Sequence, residues 1–176
     1  MNYLFIPLFY ALSGFLMKYS DDEYDENHNK LSSVILGILC GLITAVVCFL
    51  NSDAACIFIA ILLGNLIAFK IDGIHHIATL ITFIIVLIFL GIPNISLIPL
   101  IISLIAAFID ELGNDNEKLY SKSKYLKFFF DYRFTMKIAI LILAIFSFLK
   151  IESFVFFILF ELSYELAGYI FLKLNN

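Results

Sequence analysis

Apolar residues run through this chain in long unbroken blocks separated by short polar punctuation, and that pattern predicts helices rather than strands. Runs long enough to approach a bilayer crossing, for which roughly 17–25 residues are needed, fall at about 3–17, 33–50, 54–69, 74–91, 94–109, 134–149 and 153–172. Several are short for a full span, which is met by little tilt or by interfacial residues that extend the helix. The breaks Asn51-Ser52-Asp53, Gly91-Ile92-Pro93-Asn94 and Lys150-Ile151-Glu152 are tight turns, so the helices on either side are expected to be antiparallel neighbours. No basic segment precedes the first run and no small-residue cleavage site follows it, so it is expected to be a span rather than a signal peptide.

Composition sharpens this into a class. With 62% hydrophobic residues, 20 Phe and 15% charged residues, the chain is too apolar for a soluble core, where about half apolar is usual. The expectation is an all-α, polytopic transmembrane helix bundle of about seven spans, forming a single integral membrane domain over 1–176. Of its 11 basic residues, Lys18, Lys30, Lys70, Lys118, Lys122, Lys124, Lys127, Arg133, Lys137 and Lys173 follow odd-numbered spans, and only Lys150 lies on the other side. The positive-inside rule then places the amino terminus outside and the carboxyl terminus in the cytosol, with the cell membrane as the expected location.

Two acidic clusters stand out against this background. Asp21, Asp22, Glu23, Asp25 and Glu26 follow the first span, and Asp110, Glu111, Asp115 and Glu117 follow the fifth. Setting Phe15 against Phe108 lays Asp22 on Asp115, and Pro7 and Pro99 match to within one residue. The chain reads as a parallel 3+1+3 repeat, with a first half at about 3–70, a linking helix at about 74–91 and a second half at about 94–173. Acidic runs at helix ends are commonly solvated caps, and topology is insensitive to them. Carboxylates at this density also repel one another unless a cation sits among them, and hard oxygen donors suit Mg²⁺ bridging to a phosphate.

Here the chain resembles the UbiA superfamily of intramembrane prenyltransferases, which carry two cytosolic acidic motifs that hold Mg²⁺ and a prenyl diphosphate. Ser20-Asp21-Asp22-Glu23-Tyr24-Asp25 followed by Lys30-Leu31 looks like the first motif, and Ile109-Asp110-Glu111-Leu112-Gly113-Asn114-Asp115 looks like the second, with Phe69-Lys70-Ile71 opening the loop before the linking helix. The resemblance implies Asp22, Asp25, Asp110 and Asp115 as catalytic Mg²⁺ ligands, and Lys70, Lys118 or Arg133 as contacts to the substrate phosphate. The implied partner is an isoprenoid diphosphate in a membrane-lipid setting. Such catalysis rests on neutralising the leaving pyrophosphate. Nothing in the sequence points to nucleic acid.

Other polar residues keep a second class open. Glu161 and Glu165 lie four apart within the last span, and ionisable groups inside a bilayer face the bundle interior or water. Asn65 and Gly64 in the third span are the expected hydrogen-bonding and close-packing partners of Glu165. With spans arranged three, one, three, the layout is also that of SWEET-type transporters, in which Glu161 and Glu165 would form a proton or cation site. A structural membrane subunit is the third alternative. Asp72 and His75, three apart, are expected to share a helical face as metal ligands or an acid–base pair, with His76 beside them. Cys40, Cys48 and Cys56 lack metal-site spacing and read as small core residues.

Overall fold

The computed structural model describes residues 5–116, 118 and 123–175, and among them every regular element is helical. The helices are α1 (Phe5–Asp25), α2 (Lys30–Leu50), α3 (Ser52–Ile67), α4 (Ile74–Leu90), α5 (Leu97–Asn114), α6 (Lys124–Asp131), α7 (Phe134–Ile145) and α8 (Ile151–Asn175). Each predicted apolar run coincides with a helix, except that the first run begins before the described residues. Glu117 and Lys122 also lie outside the described residues. Three helices, α2, α5 and α8, are long and apolar enough to cross a membrane, while α3, α4 and α7 are apolar but shorter.

Helix ends differ from the sequence expectation for local reasons. No Gly or Pro separates the first apolar run from its acidic cluster, so α1 continues through Asp21 and Asp22 to Asp25. The chain then turns through His28, whose φ of 54° is left-handed. Asn29 caps α2 by accepting the Ser32 N–H at 3.2 Å. After α7 the chain leaves the helix at Ile145, and Ser147 takes a φ of 59°. The amphipathic α6 lies outside every predicted run; it starts at Ser123, whose hydroxyl accepts the Tyr125 N–H at 3.3 Å.

The helices group into two compact units that interleave along the chain. The first holds α1, α2, α4 and α8 from Val155 onward. Small residues let its backbones approach closely. A Cβ on Gly37 would lie 2.6 Å from the His75 carbonyl oxygen, and one on Gly41 would lie 2.5 Å from that of Thr79. The two glycines, four apart on α2, therefore lie against carbonyls one turn apart on α4, the small-xxx-small mode of close helix packing. Thr79 Oγ1 sits between the His75 carbonyl at 2.9 Å and the Gly37 carbonyl at 3.0 Å. Gly14 of α1 meets α8 in the same way, since a Cβ there would collide with the Phe160 carbonyl oxygen.

Buried hydroxyls tie α1 to α2: Thr44 donates to Ser13 Oγ at 3.0 Å, and Ser20 donates to the Ser33 carbonyl at 2.8 Å. The second unit holds α3, α5, α6, α7 and the start of α8 through Phe154. There Gly64 of α3 faces Ala107 of α5 so closely that a Cβ added to the glycine would lie 2.9 Å from the Ala107 Cβ. Asp53, in the first turn of α3, accepts the Lys150 N–H at 2.8 Å and the Ser153 hydroxyl at 2.7 Å, which anchors the start of α8. The tight turns after α2 and α4 thus lead from one unit into the other, whereas the turn after α7 stays in the second unit and the boundary falls within α8; the main partners of α2 are α1 and α4, and that of α3 is α5.

Candidate functional site

In the first unit the acidic end of α1 lies beside the start of α4. Asp21 and Asp22 face different partners. Asp22 pairs with Lys18 one turn earlier at 2.8 Å, and Lys18 also lies 5.7 Å from the centre of the Tyr164 ring on α8. Burial pushes the Asp22 carboxyl above its ordinary value, against the opposing pull of Lys18. Asp25, at the end of α1, is exposed.

Asp21 instead meets two imidazoles. Its Oδ1 is 3.1 Å from His75 Nε2 and 3.8 Å from His76 Nδ1, and the three groups offer ligand atoms all within 4.8 Å of one another. His75 is 3% exposed, lies 4.6 Å from the Tyr24 ring, and has its other nitrogen, Nδ1, buried without a hydrogen-bond partner. Its ring occupies space that only a glycine at 73 leaves free, because a Cβ on Gly73 would collide with His75 Cε1. The His75 and His76 rings are 4.0 Å apart. Asp72 lies before the helix starts, 80% exposed, with Oδ1 3.9 Å from His76 Nε2. The acid that reaches His75 is therefore Asp21, 54 residues away in sequence, and Asp72 approaches the neighbouring histidine.

In the second unit the acidic cluster divides by role. Asp110 is 1% exposed and accepts the N–H groups of Thr135 at 3.1 Å and Met136 at 2.8 Å, one on each carboxylate oxygen. It thereby serves the open N–H groups in the first turn of α7, which no side chain of its own N-cap, Arg133, satisfies. Arg133 holds a left-handed φ of 48° and lies 3.8 Å from Glu111. Asp115, the C-cap of α5, forms an ion pair with Lys70. Lys118 is exposed.

Of the polar residues expected inside the apolar helices, Glu161 is buried and Glu165, one turn on, is exposed. Asn65 is half-buried, with a buried Oδ1 that has no hydrogen-bond partner. The unit boundary places Glu161 and Glu165 in the first unit and Asn65 in the second. Likewise Asp22 and Asp25 belong to the first unit, and Asp110 and Asp115 to the second. Sequence reasoning misses Asp21 and His76 as a pair; the His75-His76 doublet beside a helix start is the available signal.

No family model matches the chain, and no curated protein or solved structure matches it.

Proposed function

We propose that this chain is an integral membrane protein of about seven spans that binds Mg²⁺ and a prenyl or lipid (di)phosphate at its cytosolic face, in the manner of an intramembrane prenyltransferase. One observation carries the reading: each of the two aligned carboxylates has a lysine set against it, Lys18 against Asp22 and Lys70 against Asp115. A carboxylate beside an ammonium group offers a metal ligand and a phosphate contact together, which is what binding a metal–diphosphate requires. Asp25 stands one turn beyond Asp22 and completes the first cluster, with Lys118 and Arg133 as further phosphate contacts. Asp110 enters only as the cap that fixes α7, since backbone N–H groups occupy both of its oxygens.

The proposed 3+1+3 repeat draws support from packing within each unit. The alignment that lays Asp22 on Asp115 also lays Gly14 on Ala107. Gly14 of α1 packs on α8, and Ala107 of α5 packs on α3. In each unit the first helix of one half thus meets the third helix of the other half.

The test is binding of a prenyl diphosphate to the purified chain in lipid nanodiscs, with and without Mg²⁺. Binding is expected only with the metal, and Asp22→Asn and Asp115→Asn are each expected to weaken it by tenfold or more, about 1.4 kcal/mol. Parent-like binding by both variants sinks the proposal. Metal-independent cation or proton flux in proteoliposomes, lost in Glu161→Gln, would replace it with the transport reading.

A further inference from the structure

We infer that Asp21, His75 and His76 form a binding site for a Zn²⁺-class transition-metal ion, separate from the Mg²⁺–phosphate chemistry proposed above and independent of it. The donor set is the first reason. Two imidazole nitrogens with one carboxylate oxygen form a borderline-soft site that suits Zn²⁺, Co²⁺ or Ni²⁺ and does not suit Mg²⁺, which prefers oxygen.

Geometry is the second reason. Around a tetrahedral zinc with bonds of about 2.0–2.2 Å, neighbouring donor atoms stand roughly 3.3–3.6 Å apart. The Asp21 oxygen lies 3.1 Å from His75 Nε2 and 3.8 Å from His76 Nδ1, so these two pairs bracket that spacing, and all three ligand atoms lie within 4.8 Å of one another. A hydrogen bond alone requires only one imidazole on this oxygen. Here a second is drawn toward it although consecutive helical residues diverge by about 100°.

The surroundings also match those of a metal ligand set. His76 turns Nδ1 toward Asp21 and Nε2 toward Asp72, which at 3.9 Å and 80% exposed is beyond hydrogen-bond reach and adds only a nearby negative charge. His75 is held by the Tyr24 ring and by the notch over Gly73 that a side chain would fill. Rigid placement of one ligand and limited freedom in the other two suits uptake of an ion from solvent, since Asp21 is 20% and His76 29% exposed while His75 is 3% exposed. Three protein ligands leave a fourth position for water or a substrate atom. That is the pattern of reactive zinc sites rather than closed structural ones.

Co²⁺ titration of the purified full-length chain in nanodiscs, in the presence of excess Mg²⁺, tests the site. The expected result is one bound equivalent with the visible d–d spectrum of a four- or five-coordinate, nitrogen-ligated ion, displaced by Zn²⁺ and not by Mg²⁺. His75→Gln, His76→Gln and Asp21→Asn are each expected to weaken binding beyond the roughly 10–100-fold that loss of an outer partner causes, and exposed Asp72→Asn to fall below that range. Asp115→Asn, which removes a carboxylate of the proposed phosphate site, is expected to leave Co²⁺ binding unchanged, so the two sites fail separately. His76→Gln alters a half-exposed side chain, and its elution as a monodisperse species excludes misfolding as the cause of any loss. An unchanged aqueous Co²⁺ spectrum in the parent, or parent-like binding by His76→Gln, overturns the inference.

Discussion

Replacing Gly41 with alanine should separate α2 from α4, and the structure fixes how far. The added Cβ would start 2.5 Å from the Thr79 carbonyl oxygen, 3.1 Å from Thr82 Cβ and 3.2 Å from the Phe83 nitrogen. Real Cβ contacts essentially never fall below 3.0 Å, so α4 must retreat by at least about 0.5 Å, and two of the three obstructing atoms are backbone that cannot swing aside. Overpacking of this kind costs about 1–3 kcal/mol. Alanine recovers up to about 1 kcal/mol of helix propensity over glycine, leaving a net loss of roughly 0–2 kcal/mol. Gly37→Ala meets the His75 carbonyl at 2.6 Å and should behave alike.

Because the obstructed carbonyls are one turn apart on the same helix, one displacement of α4 relieves both clashes. The double variant should therefore lose less than the sum of the singles. Gly168→Ala is the control: its Cβ would meet the flexible Lys18 side chain at 3.1 Å, so propensity should dominate and stability should hold or rise. Reversible unfolding in mixed detergent micelles, followed by circular dichroism, measures all four variants. The retreat of α4 should also loosen Co²⁺ binding in Gly37→Ala, because His75 is carried on the displaced turn. A Gly41→Ala variant stabilised by the full helix-propensity gain of about 1 kcal/mol, as an unobstructed glycine would be, would refute the close approach of α2 and α4.

Two further outcomes follow from the helix starts. Asp110→Ala strands two N–H groups in the first turn of α7 that the carboxylate now satisfies, and should cost about 1–3 kcal/mol in the same unfolding assay, whereas Asp110→Asn, which keeps one acceptor, should cost less. Equal losses would show that the charge rather than the capping matters. Asp53→Ala removes the acceptor of the Lys150 N–H and the Ser153 hydroxyl and should cost about 0.5–2 kcal/mol, with amide exchange accelerated at Lys150. Unchanged exchange there would remove Asp53 from the start of α8.

Helix positions are legible in the sequence because the apolar runs are long relative to the short polar breaks between most of them. The runs at 74–91 and 33–50 meet α4 and α2 to within a few residues. Boundaries slip where polarity changes without a breaker, as at α1, whose acidic cluster is good helix-continuing sequence as well as polar. The short α6 escapes because its lysines and aromatics form a polar–apolar face too brief for a spanning pattern to register. Close packing of α2 on α4 leaves a trace in the sequence too: Gly37 and Gly41 have the spacing that lets two helix backbones touch. The Asp72–His75 expectation fails locally, since Gly73 precedes the helix start at Ile74 and the three-residue face relation does not extend outside a helix. The partner that His75 does have lies on α1, and no periodicity within α4 encodes a contact 54 residues away.

What separates the two acidic clusters is the backbone each one serves. Asp110 looks like a motif carboxylate in sequence, yet its neighbours in space are the free N–H groups of α7, and a buried carboxylate with both oxygens engaged is a poor candidate for further ligation. Asp21 sits at the matching end of α1, where the succeeding helix is capped independently by Asn29. No N–H group of α2 claims it among its described hydrogen bonds, so its carboxylate is left to side-chain chemistry and finds His75 and His76. Sequence similarity between two acidic runs is thus a weak guide to shared function when one copy must terminate a helix and the other need not. The consequence for the proposed duplication is asymmetric chemistry on similar scaffolds: the second copy commits Asp110, its buried acid, to holding α7, while the first pairs Asp22 with Lys18 and turns Asp21 to imidazole.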